Sequence, residues 1–530
     1  MVIAFLMVVT LSAGWYAMSA RSEQNAAGRQ GAKNPILWAD VPDCAVIRVG
    51  NTYFMSSTTM HLSPGLPIMK SKDLVNWRIV SYAYDTLGDN DALTLQNGKN
   101  AYGAGSWASS LRYHNGTFYV STFSSTTGKT HVYTTHDIEK GPWKETSFRP
   151  ALHDHSLLFD DDGRVFMVHG GGDVHLTELL PDASAIKPGG VDQMIIRDAS
   201  LVAGPNVGLR AEGSQIQKIH GKYYLCMITW PRGGMRTQLV FRSDRLTGPY
   251  EGKVALQDGG VAQGSLIDTP DGNWYALLFQ DHGAVGRTPF LVPVKWEEGW
   301  PILGTDGKVP ITLSIPAGKG GISGIVASDE FDRKPGVPAL PLVWQWNHNP
   351  DNRYWSVTER PGYLRLTAGR VDPDFLTARN TLTQRTFGPE CSGTVAIDVS
   401  KMNDGDYAGL GLLQKRYGFV GVKQTGDTKS LVIMSAETNT PAEEQSISLT
   451  QSTVYLKAEC DFRNRTDSAT FYYSLDGHKW TALGKSLHMA YTLPHFMGYR
   501  FALFHYATKT VGGSVDFDYF RVSDKLTGTD

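Results

Sequence analysis

The chain has 530 residues, 41% of them hydrophobic, with a formal net charge of -2. That length exceeds one ordinary core and predicts two domains. A near-neutral chain without a basic run excludes nucleic acid and anionic membrane as electrostatic partners. Oligomeric state is left open.

Ile3 to Ala13 is an apolar run followed by small residues at Ala17, Ser19 and Ala20. It predicts a signal peptide over residues 1–21 and export of the remainder, although no Lys or Arg precedes it. The run is short for a membrane span.

Beyond it, Val, Ile, Thr, Tyr, Phe and Trp fill short runs between Gly, Asp and Asn clusters, which predicts an all-β protein. One phrase recurs five times between residues 40 and 300, a polar turn with glycine followed by an aromatic or β-branched strand. Its turns precede or contain Tyr53, Phe118, Val165, Tyr223 and Trp274. Glycine supplies the positive φ of a tight hairpin. Units of this length suit four-stranded blades, so residues 30–317 are expected to form a five-bladed β-propeller.

Counting back along the repeats locates a site. Eleven residues before Phe118, Val165, Tyr223 and Trp274 stand Trp107, Asp154, Glu212 and Gln263, and ten before Tyr53 stands Asp43. Equivalent positions in blades lie at equivalent distances from the axis, so these five side chains are expected around one mouth of the channel. Buried acids are costly unless paired or used. Three of them beside an aromatic ring suit glycoside hydrolysis: one acid protonates the leaving oxygen, one carboxylate activates water, and the ring stacks a sugar. A third carboxylate keeps the acid protonated by like-charge repulsion. Asp40 competes with Asp43 and is set aside on register. His61 is expected to line the pocket.

The stretches Asn34 to Gly50 and Pro64 to Trp77 resemble glycoside hydrolase family 43, the β-xylosidases and α-L-arabinofuranosidases. The resemblance implies an inverting enzyme that removes terminal xylose or arabinofuranose from hemicellulose-derived saccharides. It implies Asp43 as general base, Asp154 as modulator and Glu212 as general acid, with no required cofactor. Base and acid would stand about 6.5–9.5 Å apart. Arg287 would aim its guanidinium fork at glycone hydroxyls. Two departures stand out: Cys44 follows the base where proline is usual, and Gln263 replaces a channel histidine, for which His282 is the candidate substitute. The competing readings are an endo-acting arabinanase and a non-catalytic, glycan-binding propeller.

A glycine-rich linker is expected at 318–327, then a jelly-roll or concanavalin-like β-sandwich over 328–524. The sandwich is expected to lend a loop to the pocket rim. Cys391 and Cys460 are candidates to pair, and Cys226 reads as a buried strand thiol. In related sandwiches acids such as Asp329 with Asp516 or Asp518 hold a structural Ca2+.

Overall fold

The computed structural model describes residues 31–317, 322–334 and 340–529. The expected signal peptide lies outside the described residues, as does the start of the expected linker. The chain is all-β: five four-stranded antiparallel sheets are followed by a two-sheet sandwich.

Blade 1 uses Ala45–Val49, Thr52–Ser56, Gly65–Ser71 and Arg78–Tyr84; blade 2 uses Ser109–His114, Thr117–Ser124, Lys129–Thr135 and Lys144–Phe148. Blade 3 is built from Ser156–Phe159, Val165–His169, Val174–Leu179 and Asp192–Ile196. Blade 4 comprises Val207–Ile219, Lys222–Pro231, Thr237–Ser243 and Glu251–Leu256; blade 5 comprises Ala262–Asp268, Trp274–Asp281, Arg287–Glu297 and Trp300–Leu303. First strands of successive blades touch one another in a closed ring, the fifth meeting the first, so they are the innermost.

The ring closes by polar bonds as well as packing. The Asn34 side chain donates to the Leu291 carbonyl and accepts from the Leu291 N–H, both at 2.9 Å. Arg48 Nε donates to Asp268 Oδ1 at 3.0 Å, tying blade 1 to blade 5.

One sandwich sheet runs Ala442–Leu449, Thr428–Ser435, Gly418–Thr425, Asp406–Leu413, Arg500–Ala507, Leu382–Arg385 and Gln345–Asn347. It gains an eighth strand from the propeller, because Leu62–Ser63 of blade 1 pairs with Gln345–Asn347. The other sheet is centred on Glu390–Asp398, Thr453–Asp461 and Ser514–Ser523. Arg500–Ala507 is buried along its whole length. Phe501 and Leu503 face the opposite sheet, while Phe504 and Tyr506 pack under Phe375 and Phe419. A single apolar core runs from Trp77 and Val285 of the propeller to Trp344 and Phe501 of the sandwich. Non-directional burial of this kind fixes the two domains as neighbours.

Two expectations about the sandwich change. Asp329 accepts from Arg333 and, at 2.9 Å, from Trp344 Nε1. Asp516 accepts from Arg365 at 2.7 Å and from Arg360 at 2.9 Å. Guanidinium groups already neutralise both acids, so this donor set does not fit the expected Ca2+, and half-buried Asp518 alone makes no cage. Cys391 and Cys460 stand directly opposite each other on paired strands, buried, as free thiols.

Candidate active site

The five register positions converge. Asp43, Trp107, Asp154, Glu212 and Gln263 all line one cavity of about 780 Å³ at the mouth of the channel. Local backbone geometry aims several of them. Asp43, Asp154 and Gln263 hold left-handed φ values of 53°, 45° and 60°, at or just before the innermost strand of their blades. Such a φ kinks the chain and turns the side chain toward the axis, at about 1–3 kcal/mol of strain each. In blade 4 the kink falls on Gly213, with φ 70°. A Cβ there would stand 2.8 Å from the Gln263 side chain, so glycine both frees the turn and admits Gln263 beside Glu212.

The Cys44 departure does not loosen the base turn. Its buried thiol donates to the Val41 carbonyl at 3.1 Å and closes the loop around Asp43. Arg287 Nη1 donates to Asp43 Oδ1 at 2.9 Å, and both side chains are almost fully buried. Burial works against the guanidinium charge, but Asp43 together with Tyr491, Asp40 and Asp281 outweighs it and raises the Arg287 pKa. Nη2 reaches the Phe496 carbonyl at 3.3 Å. The fork expected to hold vicinal hydroxyls is thus occupied by protein, and among the described residues the buried Nε has no hydrogen bond.

On the opposite side Asp154 Oδ2 accepts from the Gly213 N–H at 2.8 Å, and Glu212 Oε2 meets His153 Nε2 at 3.1 Å. Ligand atoms of His153, Asp154 and Glu212 all lie within 4.8 Å of one another. That spacing would suit a divalent cation, but an ion there would take the oxygens needed to hold a proton. Burial pushes Asp154 up to about 7, and the Glu212 charge adds to the rise. His153 is pulled down by burial, but its bond to Glu212 and the two nearby carboxylates prevail and raise it to about 9. Burial, with the neighbouring Glu212 charge, therefore keeps a proton on Asp154 up to about neutral pH.

This electrostatic arrangement has a measurable consequence. Asp154 binds its proton more tightly in the folded chain than at its ordinary 3.8, so the stability it contributes is lost as pH rises toward about 7. Asp154→Asn removes that dependence while keeping an acceptor for Gly213. Its melting temperature is expected to gain on the parent between pH 5 and pH 8. Where catalysis in this cavity uses the Asp154 proton, the limb of the pH–rate profile near pH 7 moves in this variant. An unmoved limb in the pH–rate profile would remove Asp154 from this role.

Other residues complete the cavity. Leu493 and Phe496 come from the sandwich, and the Phe496 ring meets Trp107 edge-on at 5.0 Å. The sandwich therefore lends the pocket a wall. Asp40 is excluded from the cavity: its carboxylate accepts from the Arg287 and Gly498 N–H groups at 2.7 and 3.0 Å and joins propeller to sandwich. Two expected residues are elsewhere. His61 immediately precedes Leu62–Ser63, and the pairing of that strand with the sandwich carries it into the interdomain core against Tyr102 and His348. His282 bonds Gln280 at 2.9 Å and packs edge-on to Trp38, outside the cavity lining, so it does not replace a channel histidine. His153, Trp230, Arg232, Arg236, Leu493 and Phe496 line the cavity without having been expected. Only His153 had a signal within reach, its place beside Asp154.

Residues 32–301 match the model of glycosyl hydrolases family 43, and residues 328–523 match the β-xylosidase C-terminal concanavalin A-like domain. A β-xylosidase of Formosa agariphila is 32% identical over 92% of this chain and 89% of its own. A non-reducing end α-L-arabinofuranosidase of Bacteroides ovatus is 28% identical over 73% and 76% of the two chains. Among solved structures, a bifunctional GH43-CE protein of Bacteroides eggerthii superposes with a TM-score of 0.93 at 60% identity over 94% of this chain. The present chain spans 64% of that protein's length. An engineered GH43 glycoside hydrolase with endo-xylanase and exo-arabinofuranosidase activity superposes at 0.80 with 30% identity, covering 93% and 99% of the two chains. With its propeller, its accessory sandwich and three acids in one cavity, this chain belongs to glycosyl hydrolases family 43.

Proposed function

We propose that the cavity removes single terminal xylose or arabinofuranose residues with inversion. In this reading Asp43 is the general base, Glu212 the general acid, and Asp154 keeps a proton available to the acid. The observation that carries the reading is the convergence of carboxylates from blades 1, 3 and 4 in one cavity beside Trp107. Asp43, held by Arg287, and Glu212, held by His153, have separate partners, as two opposed roles require. Trp107 offers the stacking face, and Gln263 a polar contact to the sugar.

The sandwich wall at Leu493 and Phe496 supports terminal cleavage over mid-chain attack, since a polymer needs a groove open at both ends. A glycan-binding propeller would gain little from desolvating three acids. Export is part of the proposal, because a polysaccharide is met outside the cell. The test is a panel of aryl β-xylopyranosides and aryl α-L-arabinofuranosides with the first-formed anomer read by proton NMR. Fractionated cells should show the same activity outside the cytoplasm. An inverted anomer is expected; a retained one contradicts the assignment of base and acid.

A further inference from the structure

We infer that the outer wall of the cavity binds a leaving-group sugar bearing a carboxylate, that is, a uronic acid on the aglycone side. The inference rests on the glycosidase reading and extends it from the cleaved sugar to its neighbour.

The wall is the hairpin between Lys222–Pro231 and Thr237–Ser243 of blade 4. On paired strands Glu212 lies opposite Ile228, and Trp230 lies one alternate residue further out, opposite Leu209. Alternation along a strand puts Ile228 and Trp230 on one face. Trp230 thus stands on the Glu212 side of the cavity, where a group that receives its proton from Glu212 leaves. The indole is 42% exposed, unusual for so large an apolar ring. It is also fixed: Nε1 donates to the Gly234 carbonyl at 3.1 Å, and the Arg236 guanidinium lies 5.3 Å from the ring centre. A rigid, half-exposed indole in a pocket mouth is a stacking platform for a pyranose ring.

Charge at this mouth is unevenly compensated. The lining Arg236 is paired with Asp281. Arg232 lines the same cavity, and its side chain has no hydrogen bond or ion pair among the described residues. Its backbone is held in place, the N–H donating to the Asn206 carbonyl at 3.0 Å. Its stem passes Gly208, where a Cβ would stand 3.8 Å from Cγ. An uncompensated guanidinium beside a stacking ring suits a carboxylate on a sugar, which it bonds bidentately.

The test uses the full chain and three substrates sharing the glycone that the aryl panel selects. They are a disaccharide with a neutral leaving sugar, the same disaccharide carrying a uronic acid on that sugar, and the methyl glycoside. Wild type is expected to favour the uronic acid disaccharide about three- to fivefold in kcat/KM. Arg232→Gln should bring that ratio to about one, as should 0.5 M salt. Trp230→Ala should raise KM about three- to tenfold for both disaccharides while the ratio persists. Equal rates on the two disaccharides in wild type, or an unchanged ratio in Arg232→Gln, would overturn the inference. Failure of wild type to turn over any of the three would instead strike the glycosidase reading.

Discussion

Glu212→Gln is expected to lose about 10²–10⁴-fold in kcat/KM on xylobiose or alkyl glycosides, and little on a dinitrophenyl glycoside. The difference arises because a dinitrophenolate departs without a proton, whereas a sugar alkoxide does not. Gln matches Glu in shape and keeps a partner for His153 Nε2, which Glu212 meets at 3.1 Å, so the cavity should survive the change. Removing the Glu212 charge also removes one of the causes that raise Asp154, so the limb near pH 7 should move to lower pH in the variant's profile. A uniform loss across all leaving groups would transfer the acid role elsewhere, with His153 the nearest alternative.

How far the sequence alone reveals this site depends on which contacts are local. Blades are repeats, and a constant offset from each hairpin identifies the five inward positions; Asp43, Trp107, Asp154, Glu212 and Gln263 all line the cavity. No chain-distant information enters that count, since each residue is placed by its own blade and the blades by closure. The same logic fails for His61. Its place depends on Leu62–Ser63 adding to a sheet whose partner strand lies some 280 residues later, and hairpin periodicity carries no trace of that pairing.

The outer parts of the pocket are invisible for a related reason. Phe496 and Leu493 belong to a loop of the second domain, and they reach the cavity because a continuous apolar core fixes that domain against blades 1 and 5. Trp230 and Arg232 sit in an ordinary-looking hairpin, and only the closed ring shows that it overhangs the acid. The expected calcium fails on stoichiometry of charge. Acids read as ligands at Asp329 and Asp516 are each answered by arginines, Arg333 for one and Arg365 with Arg360 for the other. Sequence distance did not announce the pairings with Arg365 and Arg360.

Asp43→Asn is expected to cost about 10²–10⁴-fold in kcat/KM on every substrate, whatever its leaving group. The reason is that, on the proposed roles, water must lose its proton to this carboxylate however readily the aglycone departs. Asn is the informative replacement because of Arg287. The Arg287 side chain is only 6% exposed, and Asp43 is its ion-pair partner at 2.9 Å. Asn keeps an acceptor for Nη1, so the arginine stays in register and the loss reports chemistry. Asp43→Ala instead strands a buried guanidinium, a change that typically costs about 3–5 kcal/mol, and would confound lost base with lost fold. Paired melting curves therefore belong with the kinetics: a smaller drop for Asn than for Ala, and equal inactivity in both. If Asp43→Asn cleaved dinitrophenyl and alkyl glycosides at the parental rate, water activation would have to come from another group, and Arg287 would be left holding a residue with no part in the reaction.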